Sequence, residues 1–389
     1  MDAYIYDAVR SPRGKARPDG GLASLTPPQL LAQVGQAFET RHSGQLAEVE
    51  GLYLGCVGQV GAQGGHIALI AKLHLGLGSD AYAQSINNYC VSGLSAVGLA
   101  AQAVQTGQAT CLLAGGVEMM SRVGFMADKA DYYTDTDLPP ALRYVQVAAA
   151  ADRLAHIEQI NRLDLDKAAE TSHGRALMAE KTPALIASRI AIHGADGSVL
   201  LAHDETVRDK MDLARLAALA PGFASLAQEY SAALEGETFQ PTMTFAHAPP
   251  VTDGAALCLV GADPNRARAR IVAMAESGGN VRASLLAGFQ AMDKALARAG
   301  LSLGQMDRIE FMESFGVTIV KFLRDYPVDP ERVNVGGGHL AKGHPMGATG
   351  AILLSTLLDA LDQIDGRYGL VVASGASGTG AALIVERLG

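Results

Sequence analysis

Tryptophan is absent from this 389-residue sequence, and phenylalanine and tyrosine together make up only 5% of it. With 44 glycines against so few rings, tight backbone packing is expected rather than broad aromatic binding surfaces. Long apolar runs are missing too: Gly or a charge interrupts every one, so no transmembrane helix is expected. The start, Met1-Asp2-Ala3-Tyr4-Ile5-Tyr6-Asp7, has neither the basic flank nor the apolar centre of a signal peptide. Cysteines number four (Cys56, Cys90, Cys111, Cys258), too widely spaced to suggest a zinc site or a disulfide scaffold. A reducing cytoplasm and no bound metal are the natural expectations. Basic excess is lacking as well. The net charge is −9 with both signs mixed throughout, which gives no stripe for nucleic acid.

What is present is an α/β pattern. Tyr4 to Val9 alternates like a strand, and Thr26-Pro27-Pro28 opens a helix carrying Leu30, Leu31, Val34 and Phe38. Strands are expected at 50–54 and 109–114, with Cys111 as core filler. From about Ser121 to Pro250 the character shifts to Ala-rich amphipathic segments (148–160, 168–179, 213–219) joined by polar turns. Within that insertion His173 is expected to pack or meet solvent, and the acidic, tyrosine-bearing loop 131–137 to be solvated surface. The last third repeats the plan of the first: strands at 271–274, 308–311, 370–373 and 382–385, helices around Ala291 and over 347–358, and Val333-Asn334-Val335 leading into a Gly-rich turn. Two copies of one α/β unit explain the order economically.

Two stretches carry chemistry. In Asn87-Asn88-Tyr89-Cys90-Val91-Ser92-Gly93-Leu94, a polar run ends in a cysteine and helical periodicity starts at once, through Val91, Leu94, Val97, Leu99 and Val104. Cys90 at a helix N-terminus would have a stabilised thiolate; the alternative is a small buried hydrophobe. Near the other end, Asn334-Val335-Gly336-Gly337-Gly338-His339-Leu340-Ala341-Lys342-Gly343-His344-Pro345-Met346-Gly347-Ala348-Thr349-Gly350 is a glycine-rich loop. Pro345 restrains His344 toward extended geometry, which suits a histidine that takes a thiol proton.

Together, Asn…Cys-x-Ser-Gly and Asn-Val-x-Gly-Gly…Gly-His-Pro-x-Gly-Ala-x-Gly resemble the thiolase family. The opening Tyr4–Gly14, Gly115-Gly116-Val117-Glu118-Met119-Met120-Ser121-Arg122 and Asp253-Gly254-Ala255-Ala256 are similar to further family segments. The resemblance implies two similar βαβαβαββ halves in a layered α-β-α-β-α core, with a mostly helical loop domain inserted in the first half. Residues 1–120 and 246–265 would form the N-terminal half, 121–245 the inserted domain, and 266–389 the C-terminal half. It implies acyl exchange with coenzyme A thioesters, with Cys90 as nucleophile and His344 as base. No tightly bound cofactor is implied, and a homodimer or homotetramer is; the strand at 83–86 has the composition of an interface edge.

The departures fall on the chemistry. Ser374, in Ser374-Gly375-Ala376-Ser377-Gly378-Thr379-Gly380, stands where the family has a second catalytic cysteine. Met312-Glu313-Ser314-Phe315 replaces Asn-Glu-Ala-Phe, so Met312 occupies the place of the oxyanion-hole asparagine. The second hole would use the N–H groups of Cys90 and Ala376. Ala246-His247-Ala248-Pro249-Pro250 replaces a Gly-Asn-Ser-Ser-Gly run beside coenzyme A, which leaves His247, Ala248 and Gly375 as candidate substrate contacts. His339 and Lys342 stand at usually apolar positions and are expected to face solvent. Three readings follow: a thiolase-type acyltransferase, an acyl-CoA half-reaction (transferase or thioesterase) without carbon–carbon chemistry, or a non-catalytic acyl-CoA-binding subunit.

Overall fold

The computed structural model describes every residue, 1–389. Its strands in chain order are β1 (Tyr4–Arg10), β2 (Gly51–Gly55), β3 (Tyr82–Ile86), β4 (Cys111–Met119) and β5 (Thr252–Gly261). The second half contributes β6 (Ala269–Gly278), β7 (Arg308–Phe311), β8 (Tyr368–Gly375) and β9 (Thr379–Arg387). They hydrogen-bond in the order β7-β8-β9-β6-β1-β5-β4-β2-β3. In each half a parallel portion (β3-β2-β4; β7-β8) continues into antiparallel strands (β4-β5-β1; β8-β9-β6). A parallel bridge from Val333 to Ile309 adds a vestigial fifth strand beside β7, the counterpart of β3. Only two residue pairs, Tyr4–Arg270 and Ile5–Ala269, join the halves along β1 and β6. The expected duplication is therefore present.

The helices are α1 (Pro27–Arg41), α2 (Ile67–Leu75), α3 (Ser92–Gln105), α4 (Val147–Ile157), α5 (Arg162–Ala179), α6 (Ala287–Ala299), α7 (Gly316–Asp325) and α8 (Thr349–Asp362). Thr26 caps α1 in a capping box with Gln29, and Pro27 and Pro28 fill the first turn, as the sequence predicts. Alternation within the strands assigns the layers. In β9, Ala381, Leu383 and Val385 join a central core with Val97 of α3 and Leu354 of α8. Ala382 and Ile384 face α6 and α7 through Phe289 and Phe322. On the other half, β4 turns Leu112 inward and Leu113 out toward α1. Both faces of each half-sheet are covered, so α3 and α8 form the middle layer of an α-β-α-β-α stack.

The insertion holds α4, α5, two short helices (Leu213–Ala217 and Ala224–Glu229) and a small hairpin (Ile192–His193 with Val199–Leu201), and is less helical than its alanine content suggests. Sequence periodicity missed α2 and α7. No helix is long and apolar enough to cross a membrane.

Glycines set how closely the middle helices approach. A Cβ on Gly350 in α8 would lie 2.3 Å from the Leu94 nitrogen of α3, and one on Gly93 would lie 2.6 Å from the Gly347 carbonyl oxygen. Both obstacles are backbone and cannot swing aside. Gly350→Ala should therefore lower stability by about 1–3 kcal/mol through overpacking, read as a lower denaturation midpoint. An unchanged midpoint would show that the crossing has slack.

Candidate active site

β3 ends at Ile86, and Asn87 to Tyr89 turn the chain toward α3. Asn87 donates its amide to the Val57 carbonyl (3.2 Å) and accepts from the Tyr89 N–H (3.1 Å), while Asn88 donates to Ser95 Oγ (3.1 Å). Tyr89 takes a left-handed φ of 46°. Cys90 follows at the edge of a cavity of about 780 Å³. Gly375 packs behind it, where an added Cβ would lie 3.2 Å from the Cys90 nitrogen. The first helical residue is Ser92, so Cys90 lies ahead of α3 rather than in its first turn. Burial pushes its thiol up to about 12, although the Ala376 N–H favours the thiolate. Against the expectation of a stabilised thiolate, desolvation outweighs the Ala376 and Cys90 N–H groups here.

The Gly-His-Pro loop forms the facing wall. Asn334 fixes its start, accepting from the Phe311 N–H (2.7 Å) and donating to the Phe311 carbonyl (2.9 Å) and Glu313 (3.1 Å). Gly343 (φ 88°) offers its carbonyl to the buried Arg13 guanidinium (3.0 Å). The His344 N–H bonds the Pro250 carbonyl (2.8 Å), and its Nδ1 lies 2.7 Å from Thr349 Oγ1 in the first turn of α8. Burial, reinforced by Arg13, holds the His344 pKa down to about 3. Met346 (φ 25°) places its Sδ 4.0 Å from Cys90 Sγ.

His339 and Lys342 do not face solvent. They are 1% and 2% exposed, because the short helix His339–Lys342 turns them into the protein behind His344. The His339 ring meets His344 edge-on with centroids 5.6 Å apart. Burial pushes Lys342 down to about 8 against the attraction of Asp204. Burial also raises the Asp204 carboxyl, but Arg10, Arg13 and Lys342 together hold it well below the usual range. Arg10 grips both oxygens of Asp204, at 2.9 and 3.0 Å.

The third wall comes from the C-terminal half. Ser374, Ala376 and Met312 all line the cavity beside Cys90 and His344, and so does Ala248. Ser374 Oγ accepts the Gly288 N–H (3.1 Å) at the start of α6. Met312 belongs to the central apolar core. Three other candidates lie elsewhere. Glu313 is buried behind the wall, accepting from Ser172 Oγ (2.8 Å) and the Leu340 N–H (3.0 Å), and so holds the glycine loop. His247 is locked between Asp166 (Nε2 to Oδ1, 2.7 Å) and the Thr244 N–H (3.1 Å), away from the cavity. Gly375 backs Cys90 without lining the cavity.

Sequence reasoning missed Glu118 as a site residue. Its buried carboxylate accepts from the N–H groups of Val57 (2.9 Å), Gly58 (3.0 Å) and Gly347 (3.0 Å) and from Gln63 (2.6 Å). It thereby ties the His344 loop to the N-terminal half. A lone carboxylate near the end of the otherwise apolar β4 was the available signal. The loop 131–137 was also misjudged: Tyr132 bonds Ser377 Oγ (3.3 Å), and Tyr133 lines the cavity. No group of three or more His, Cys, Asp or Glu side chains could hold a metal ion.

With the Cys90 thiol raised and His344 lowered, the resting pair is neutral thiol and neutral imidazole. Iodoacetamide labelling of Cys90, followed by peptide mass spectrometry, should accelerate about tenfold per pH unit from about pH 7 to about pH 9. A rate already level across that range would indicate a preformed thiolate–imidazolium pair.

The description "Thiolase, N-terminal domain" matches residues 3–263, and "Thiolase, C-terminal domain" matches residues 265–387. A beta-ketoadipyl-CoA thiolase of Acinetobacter baylyi is 32% identical, covering 99% of both chains. The 3-oxoadipyl-CoA/3-oxo-5,6-dehydrosuberyl-CoA thiolase of Escherichia coli is 32% identical over the whole of both. A steroid 3-ketoacyl-CoA thiolase of Mycobacterium tuberculosis is 29% identical over all of this chain and 94% of its own. Similar from one end to the other to proteins of this kind, and matched in both halves, the chain belongs to the thiolase family of acyltransferases.

Proposed function

We propose that this protein moves acyl groups between coenzyme A thioesters through an acyl-cysteine on Cys90. The observation that carries the reading is that Cys90, His344 and the Ala376 N–H converge on one cavity from three separate segments. An Nδ1–H donated to Thr349 leaves His344 Nε2 with the lone pair that accepts the thiol proton. As Cys90 Sγ attacks, negative charge collects on the thioester oxygen, and the Cys90 and Ala376 N–H groups are placed to stabilise it. The tetrahedral intermediate expels coenzyme A as its thiolate, which recovers the proton from His344. The exposed Lys15, Arg17 and Arg208 at the cavity mouth suit the phosphates of coenzyme A, with Ala248 beside them. The substrate brings the only cofactor chemistry required.

Two positions favour a second reading, in which acyl transfer outruns carbon–carbon chemistry. The Ser374 hydroxyl has too high a pKa to move an α-carbon proton unaided, and its oxygen already accepts from Gly288. The Met312 thioether cannot orient a water as an amide does. In this reading the acceptor after acylation is coenzyme A again, water or another nucleophile.

The division into 1–120 with 246–265, 121–245 and 266–389 is part of the proposal, as is a cytoplasmic setting. So is assembly into at least a homodimer. Tyr82–Ile86 ends the sheet as a half-exposed strand, and unpaired edges of this kind invite pairing. A monomeric mass by light scattering at micromolar concentration would count against assembly.

Cys90→Ala should abolish covalent uptake from acetyl-CoA, measured by intact mass, with the fold unchanged. Persistent labelling would assign the nucleophile elsewhere. Ser374→Cys with Met312→Asn should raise thiolysis of acetoacetyl-CoA more than either change alone. A positioned acid or base is worth about 10²–10⁴ in rate and an oxyanion donor about 10²–10³. A wild type already as fast as the double variant would show that neither residue is a deficit.

A further inference from the structure

Resting on that acyl-cysteine reading, we propose that the acyl group accepted here carries an aromatic ring and no terminal carboxylate. The chain is poor in aromatic residues, with nine phenylalanines, 11 tyrosines and no tryptophan, yet it gathers them at this cavity. Four of the phenylalanines and three of the tyrosines line it. Six of these seven form two walls. On one, Tyr133 packs against Tyr144 with ring centroids 4.8 Å apart, and Tyr89 stands beside Cys90. On the other, Phe223 meets Phe245 at 5.0 Å and Phe315 at 6.3 Å, both edge-on. Edges and faces offered at these separations suit a further ring, which gains from offset and edge-to-face contact beyond the area it buries.

The charges point the same way. Lys15, Arg17 and Arg208 are exposed at the mouth, and no other lysine or arginine lines the cavity. Of the acids, Glu118 is saturated by its four N–H donors, Asp128 accepts the Tyr133 hydroxyl at 2.9 Å, and Glu205 accepts the N–H groups of Lys15 (2.8 Å) and Gly21 (3.1 Å). A carboxylate carried inward on an acyl chain would lose its water, find no cation and approach Asp128. That separates this site from the dicarboxylic substrates in the names of several relatives. The Tyr144 hydroxyl donates to the Met126 sulfur, at 3.7 Å, a weak acceptor that a neutral oxygen on the acyl group would displace. During acylation the Cys90 Sγ–acyl carbon bond forms and the acyl carbon–sulfur bond to coenzyme A breaks. The thiol proton passes through His344 to the departing coenzyme A thiolate.

The test is the rate of acyl-Cys90 formation, by rapid quench and intact mass, with phenylacetyl-CoA, hexanoyl-CoA, acetyl-CoA and succinyl-CoA presented separately. Phenylacetyl-CoA should label Cys90 about tenfold or more faster than hexanoyl-CoA, and acetyl-CoA should trail both. Succinyl-CoA should be about a hundredfold or more slower than hexanoyl-CoA. Equal rates for phenylacetyl and hexanoyl groups, or succinyl ranking with hexanoyl, would overturn the inference while leaving the acyl-cysteine reading intact. Labelling by none of the four would overturn both. Tyr133→Leu should narrow the phenylacetyl-to-hexanoyl ratio several-fold, and an unchanged ratio would count against the tyrosine wall. Should that variant fail to fold, the wild-type ranking decides alone.

Discussion

The site depends on the crossing of α3 and α8, where backbone meets backbone with no side chain between. Gly93 and Gly350 make that approach possible, and each helix is entered by one of the reactive loops. Cys90 sits ahead of the first helix and His344 ahead of the second. Residues 254 apart in sequence therefore reach one cavity because two helices from duplicated halves share the middle layer. Added Cβ atoms would push the helices apart and carry the loops with them. Packing density at the crossing is thus a condition for the chemistry and not only for stability.

Burial then sets the electrostatics. Glu118 uses its oxygens as a clamp, drawing Gly347 onto the N-terminal half. Behind His344, Asp204 gathers Arg10 and Arg13 into a buried ionic cluster that also holds Lys342. Arg13 extends from that cluster to the Gly343 carbonyl and so fixes the loop whose next residue is the histidine. The loop gains rigidity from this, but it also brings positive charge close to the imidazole. Together with desolvation, that charge keeps His344 neutral. Cys90 stays a thiol for the matching reason, since no nearby group favours its anion enough to offset burial. In the proposed reaction, proton transfer to His344 accompanies attack by Cys90.

Much of this was legible in the sequence, and the failures have physical causes. Cys90 and His344 stood out because chemistry, glycine spacing and helix starts coincide there, and Thr26-Pro27-Pro28 announced a helix that forms as expected. His339 and Lys342 were misplaced because a four-residue helix has no periodicity to show which way it faces. His247 looked like a substrate contact until the fold paired it with Asp166, which is 81 residues earlier. Glu313 has the motif position of a site residue, yet its hydrogen bonds are those of a scaffold. The low aromatic content suggested no aromatic surface. Composition cannot show that scattered residues such as Tyr89, Tyr144 and Phe315 converge on one cavity.

We propose that acylation of Cys90 survives intact while the carbon–carbon step is weakened at Ser374 and Met312. Both rates can be measured on one unmodified enzyme. Exchange of labelled coenzyme A into an acyl-CoA reports acylation and its reversal, and thiolysis of the matching 3-ketoacyl-CoA reports the carbon–carbon step. The account predicts exchange faster than thiolysis by about 10²-fold or more, the weight of one missing acid–base or oxyanion group. Comparable rates for the two reactions would contradict it.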